Sequence, residues 1–231
     1  MTSKVTLSEK TLDVLKNFST INSSIVFRQG STVRTISNAE NILAKFTSEE
    51  IFPTDFAIYD LSQFLGGISL FHDPQLEFTS NDFVSIRGGR TSAKYYFSDP
   101  EITLKSAPEK NVKFPGADLE FNLTGDELIA LQKASAIYGL PDLTFKSVEG
   151  EDTIKLILRD KENDTSNTYD ITVVGNCTGT YSLDVKIENI RVLSKTSTAT
   201  QGDYTVKVSK HLISEWVNND VELTYYIALE P

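Results

Sequence analysis

Apolar residues recur between Asp60 and Phe71 at the spacing of one helical face: Leu61, Phe64, Leu65, Ile68 and Phe71. The opposite face carries Ser62, Gln63, Gly66 and Ser69, and no charged residue lies between Leu61 and Phe71. A helix exposed to water usually carries charge on its wet side, and a glycine costs it about 1 kcal/mol relative to alanine. Two readings follow. Either small residues let this helix pack closely on a neighbouring backbone, or the face is a smooth, uncharged surface over which something moves.

The same periodicity appears twice at half-chain separation. The stretch "LSEKTLDVLKNFSTI" (7–21) superposes on "LTGDELIALQKASAI" (123–137), with Leu7 on Leu123, Ser8 on Thr124, Leu12 on Leu128, Leu15 on Leu131, Ser19 on Ser135 and Ile21 on Ile137. Thr124 with Glu127 fits a capping box. In the first copy, Ser8 and the pair Thr6 with Glu9 compete for the N-cap. Strand-like segments follow each helix, "SIVFRQG" after the first and "LTFKSVEG" after the second. Alternating runs at 76–97 predict a three-strand meander with Gly88-Gly89 at a tight hairpin, and those at 143–174 predict another. A second short helix is expected late in each half, over Asp60–Leu70 and over 184–193. Between the halves, "SAPEKNVKFPGADL" (106–119) reads as a linker. The expectation is an α+β chain of two similar domains, 1–105 and 120–231.

Composition narrows the chemistry. A net charge of −10 and a pI near 4.7 argue against a generic nucleic-acid binder, which is usually basic, but leave room for a basic strip on an acidic body. Cys177 is the single cysteine and His72 and His211 are the two histidines, so neither an internal disulfide nor a Cys/His zinc framework is available. The opening "MTSKVTLSEK" lacks the apolar core of a signal peptide, and no window reaches the roughly 18 apolar residues of a membrane span. An intracellular protein without a membrane partner is expected. The Asn-x-Ser/Thr matches at Asn17, Asn22, Asn122, Asn163 and Asn176 are then chance. Nucleotide-binding glycine motifs and a Gly-x-Ser-x-Gly elbow are missing. The acidic runs "EGED" (149–152) and "DKEND" (160–164) read as solvated turns, and Asp13 reads as polar-face charge. Nothing in these residues points to catalysis or to a cofactor.

Three segments in order, "LKNFSTINSSIVFRQG" (15–30), "FAIYDLSQFLGGISLF" (56–71) and the terminal "YYIALEP" (225–231), closely resemble the DNA polymerase sliding clamps of T-even-type tailed phages. The ending also resembles the Tyr-Tyr-Leu-Ala-Pro ending of archaeal and eukaryotic clamps. The resemblance weakens in the first meander and at 194–202, where "SKTSTATQ" reads as an insertion.

This resemblance implies the DNA-clamp fold: closed rings with helices lining the bore and antiparallel sheets outside, here a homotrimer because family rings have six domains. It implies a processivity factor that encircles duplex DNA without regard to sequence and tethers the replicative DNA polymerase. The polymerase would dock through its C-terminal peptide, and an ATP-driven clamp loader would place the ring, in the cytoplasm of an infected bacterial host. Relatives also serve late transcription through late-transcription factors, a role the sequence does not decide for this chain. The residues it sets toward DNA are Lys16, Lys133 and Arg191, with Ser62, Gln63 and Ser69 on the neutral face. Lys10 shares the arc of Lys16, but Glu9 stands where the family pattern has a lysine. Phe114, Pro115, Ile227, Ala228 and Leu229 are set at the partner-peptide pocket. The competing reading is a structural or assembly protein of a phage virion. The half-chain helix repeat favours the clamp.

Overall fold

The computed structural model describes residues 3–99, 105–193 and 202–231. The expected insertion at 194–202 lies outside them except for Gly202. The chain divides into two compact units, Met1–Lys110 and Asn111–Pro231.

In the first unit the order is β1 (Ser3–Val5), α1 (Glu9–Ile21), β2 (Ile25–Phe27), β3 (Gly30–Ile36), β4 (Ile42–Phe52), β5 (Phe56–Ile58), α2 (Leu61–Ser69), β6 (Gln75–Phe78), β7 (Phe83–Gly88) and β8 (Thr91–Tyr96). In the second it is β9 (Leu119–Leu123), α3 (Gly125–Tyr138), β10 (Asp142–Ser147), β11 (Thr153–Arg159), β12 (Tyr169–Cys177), β13 (Tyr181–Lys186), α4 (Ile187–Ile190) with a 3-10 turn (Arg191–Leu193), β14 (Tyr204–Ser209), β15 (Ile213–Asn218) and β16 (Leu223–Ala228). Each unit therefore runs strand, helix, four strands, helix, three strands, and the pairings repeat as well. β1 pairs with β6 as β9 does with β14, β2 with β5 as β10 with β13, and β3 with β4 as β11 with β12, all antiparallel.

This correspondence corrects one expectation. The meander at 76–97 is β6-β7-β8 and matches β14-β15-β16, whereas the meander at 143–174 is β10-β11-β12 and matches β2-β3-β4. Alternation with period two marks a strand but not its place in a repeat.

Helix starts follow local hydrogen-bond chemistry. Ser8 settles the ambiguity at α1: its Oγ accepts the Thr11 N–H at 3.2 Å. Glu50 on β4 reaches the same turn, accepting the Ser8 N–H at 2.5 Å and the Thr11 hydroxyl at 2.6 Å. A carboxylate there also meets the positive end of the helix dipole. Burial alone would raise the Glu50 pKa, but these hydrogen bonds outweigh it and hold it below the usual carboxylate range. Asp60 caps α2 by accepting the Gln63 N–H at 2.8 Å. The Thr124–Glu127 capping box is formed, and α3 ends on Gly139 at φ 68°.

Three local expectations shift. The β7–β8 turn is Gly89-Arg90, with Gly88 still paired to Thr91. Gly88 is required for a different reason: a Cβ there would lie 2.9 Å from both the His72 carbonyl oxygen and the Phe71 Cβ. Phe71 lies past the end of α2 and is only half-buried. The helix expected over 184–193 is one α-helical turn plus one 3-10 turn. Asp184–Lys186 pair with β10 instead, which leaves too few residues for a longer helix before the 3-10 turn, where Val192 and Leu193 are buried.

In the first unit Val14, Leu15 and Phe18 of α1 meet Leu61, Phe64, Leu65 and Ile68 of α2 over the strands, and Phe27 stacks on Phe56 at 4.5 Å. In the second, Leu128 and Leu131 of α3 share the core with Phe145, Trp216, Tyr204 and Tyr225. The polar atoms of two of these rings are paired: Trp216 Nε1 donates to Ser214 Oγ at 2.9 Å, and the Tyr204 hydroxyl donates to the Leu193 carbonyl at 3.1 Å.

Glu50→Ala removes two acceptors at the start of α1. Urea unfolding should show a loss of about 1–2 kcal/mol. Wild-type stability in the variant would mean that Ser8 alone caps the helix.

Candidate nucleic-acid interface and partner pocket

The covered faces of α1 and α2 leave a polar surface built from their other sides. On α2, Ser62, Gln63, Gly66 and Ser69 are all exposed. A Cβ built on Gly66 meets nothing within 4 Å, and one on Gly67 meets only Ile86 Cδ1 at an ordinary 3.8 Å. Close packing within the chain therefore does not explain Gly66, and this face of α2 is smooth, exposed and uncharged.

Lys10 and Lys16 are exposed on α1. Lys10 pairs with Glu49 at 2.7 Å and Lys16 with Asp13 at 3.4 Å. Such exposed pairs are worth about 0–1 kcal/mol each and exchange partners readily. In the second unit Lys133 on α3 and Arg191 after α4 are exposed, and neither has an ion pair among the described residues. Gln132 ties the two elements together by donating to the Ile190 carbonyl at 3.1 Å. Exposed Glu9, Asp126 and Glu188 sit on the same helices, so these faces are charge-balanced rather than basic.

The residues set at the peptide pocket separate by depth. Phe114 and Ala228 are half-buried and Pro115 is exposed, while Leu229 is buried and Ile227 wholly so. Ile227 shares the inward row of β16 with Leu223 and Tyr225, so it is a core residue that can support a pocket wall but not touch a ligand.

Two residues that sequence reasoning missed organise this region. Leu212, in the β14–β15 turn, holds φ at 61° and remains 37% exposed. That backbone is costly for a leucine, on the order of 1–2 kcal/mol. Its carbonyl accepts the Leu229 N–H at 3.0 Å, strapping the C-terminal segment to the turn. Asp118, at the end of the linker, joins three elements. One carboxylate oxygen accepts the Tyr181 hydroxyl at 3.0 Å and the Thr178 hydroxyl at 3.1 Å, and the other accepts the Lys210 N–H at 2.9 Å. Burial would raise its pKa, but the Lys210 N–H, the two hydroxyls and the Lys210 charge together hold it below the usual carboxylate range.

His72 and His211 are both exposed, and no His/Cys/Asp/Glu group fit to hold a metal occurs among the described residues. No helix of those residues is long and apolar enough to cross a membrane.

Against known proteins, the chain is 32% identical over 228 residues to the sliding clamp of Vibrio phage KVP40, covering 97% of this chain and 98% of that one. The chain belongs to the sliding-clamp family. Residues 6–99 also match the family described as DNA polymerase processivity factor. The sliding clamp of Enterobacteria phage T4 is 29% identical over 146 residues, 63% of either chain. Two solved structures share the fold at 12% identity: proliferating cellular nuclear antigen from Entamoeba histolytica, with a TM-score of 0.74 over 100% of this chain and 98% of that one, and the PCNA2–PCNA3 complex from Sulfolobus tokodaii, with a TM-score of 0.63 over 100% and 99%. The chain is thus a clamp of the processivity-factor family, with the two-unit α+β fold of DNA clamps.

Two substitutions test these assignments within the clamp. Gly66→Ala should raise stability by about 1 kcal/mol, because the added methyl meets open space and alanine favours the helix. Destabilisation on chemical denaturation would mean that the glycine serves folding after all. For Asp118, whose folded pKa is depressed, the stabilising contribution is present above the unfolded carboxylate pKa and fades as pH falls through the folded value. Asp118→Asn should therefore lower stability at pH 7 and flatten the loss on acidification. Parallel stability–pH curves for variant and wild type would remove Asp118 from that role.

Proposed function

We propose that three copies of this chain close head to tail into a ring around duplex DNA, with α1 to α4 toward the DNA and the sheets outside. The observation that carries it is the exposed, uncharged face of α2, with Gly66 over open space. A face that must slide along phosphates gains nothing from fixed cations, since each phosphate neutralised adds affinity through counterion release. Lys133 and Arg191, with Lys10 and Lys16 behind their own carboxylates, supply loose, sequence-blind contacts. No aromatic is interleaved with them, so base stacking is not part of the contact.

The polymerase's C-terminal peptide docks on the outer side of the second unit, at the surface of Phe114, Pro115, Ala228 and Leu212, with Ile227 and Leu229 as its floor. An ATP-driven loader places the ring on DNA in the cytoplasm of the infected bacterium. The chain's part is topological and adhesive rather than catalytic.

Primer extension with polymerase, loader and ATP tests the bore. Lys133→Glu combined with Arg191→Glu should shorten products severalfold, while native mass still shows a trimer and the polymerase peptide still binds. Products as long as wild type would show that these residues do not face DNA. Leu212→Asp should do the reverse, weakening the peptide and sparing the trimer. With two unpaired cations per chain repeated three times, log affinity for DNA should fall with log salt with a slope on the order of 5.

A further inference from the structure

The sheet β1-β6-β7-β8 buries one face, with Leu76, Val84 and Ile86 at 1% exposure or less. The face turned from the core reads in rows across the strands. One row is Lys4, Glu77, Ser85 and Lys94. The next, toward the β7–β8 turn, is Gln75, Arg87 and Ser92, and Arg90 stands in the turn itself. On the other side Phe83 lies opposite Tyr96 with ring centroids 5.5 Å apart, and Lys94 Nζ is 4.4 Å from the centre of the Phe83 ring. These rows and the turn set four cations against one carboxylate. Glu77 accepts from Lys4 at 2.9 Å and from Arg87 at 2.6 Å; its side chain is 10% exposed, while that of Arg87 stays 60% exposed. The carboxylate thus fixes two cations without covering them. Arg90 and Lys94 are exposed and have no ion pair among the described residues. Asp73, against His72 at 2.9 Å, and Asp82 stand at the margins.

The fold does not require this charge. The repeat that lays Leu7 on Leu123 lays Lys4 on Glu120, and the matching strands continue that row as Lys207, Glu215 and Tyr226. Arg87 then corresponds to Val217, and the turn that matches Gly89-Arg90 holds Asp220 and Glu222. The same face of the second unit is therefore acidic, in keeping with a net charge of −10. The first unit reverses the sign.

A basic face on an acidic chain selects what can sit on it. Charges act over about 8 Å at physiological ionic strength. A nucleic acid runs on past the patch and meets the acidic remainder of the chain, and a second copy brings its own charge of −10. A short acidic segment of another protein carries its charge only where the cations are. From Tyr96 to Arg90 is roughly 20 Å along the strand, the length of about six extended residues. Tyr96, at 65% exposure, and Phe83 offer an apolar shelf at one end. Toward the other end, Arg87 and Arg90 offer guanidinium groups, which suit carboxylates by bidentate hydrogen bonding.

We propose that this face of β1-β6-β7-β8 docks a short acidic segment of a partner protein, with an apolar side chain on Phe83 and Tyr96 and carboxylates on Arg87, Arg90 and Lys94. None of these residues belongs to the surface proposed for the polymerase peptide, and the site needs no ring. The probes are two labelled peptides of about eight residues, a run of Glu with Phe at its start or at its end, titrated with the full chain in low salt by fluorescence anisotropy. Arg90→Glu with Lys94→Glu should weaken the better peptide by about tenfold or more. Both side chains are exposed and outside any printed contact with the core, so folding is spared. Lys146→Glu with Lys155→Glu, on the second unit, changes the net charge equally and should leave binding unchanged. Tyr96→Ser should weaken the peptide with Phe and not one with Ser in its place. Absence of binding to the wild-type chain, or equal weakening by the two charge reversals, would overturn the site. A single-stranded oligonucleotide of equal charge that binds more tightly, and is lost in the same variant, would give the face to nucleic acid and overturn the protein partner. Association of copies beyond a ring in sedimentation, abolished by Arg90→Glu with Lys94→Glu, would overturn it in favour of a second copy.

Discussion

A helix laid on a sheet can be dry on one side only, and that constraint governs both units. α1 gives Val14, Leu15 and Phe18 to the core, and α2 gives Leu61, Phe64, Leu65 and Ile68. Burying one such side chain is worth about 1.5–3 kcal/mol, so the inward face decides the fold. Helix ends are then fixed by neighbours in space, as Glu50 fixes α1, or in sequence, as Asp60 fixes α2. The outward faces carry almost no folding duty. That is why Gly66, which costs the helix stability and fills no tight space, is informative about what the surface meets.

Much of this organisation was legible along the chain because it is written in local chemistry. Helical spacing located α1, α2 and α3, and Thr124 with Glu127 marked the start of α3 within a residue. The half-chain repeat showed in the helices before any pairing was known. What failed were features decided by distant partners. Asp184–Lys186 read as helix until β10 supplied hydrogen bonds, and the two meanders looked equivalent because alternation carries no index. Ile227 was readable in principle, since Leu223, Tyr225 and Ile227 alternate. The resemblance of the terminal segment fixed its identity without fixing which side chains point outward.

The surface proposed for the partner peptide was the least legible part. Nothing in "KHLIS" announces a leucine at positive φ, because that conformation comes from a turn closed by Ser209 and from the Leu229 N–H on its carbonyl. Asp118 looked like one more linker acid. Its role depends on Thr178, Tyr181 and Lys210, which lie 60 or more positions away. Order and spacing of motifs can name a family at 32% identity, but the geometry that would hold a partner is assembled from long-range contacts.

The charge pattern follows from the same separation of duties. In the proposed ring, a clamp that holds DNA topologically has little use for affinity on the faces turned to the duplex, and that reading draws its support from the balance of acids and bases on the helices. Lys16 lies three residues from Asp13 on one exposed helix, a pairing worth a few tenths of a kcal/mol, which in the proposed ring a phosphate would displace and return as the duplex moves. Lys10 is held in the same way by Glu49. Cations that always have a second partner change hands at little cost, which leaves most of the grip on phosphate in the proposed ring to Lys133 and Arg191, few enough per chain for the contact to stay loose. On this argument the carboxylates among the helices belong to the proposed sliding surface as much as the lysines do, and the acidic excess of the whole chain is compatible with work on DNA.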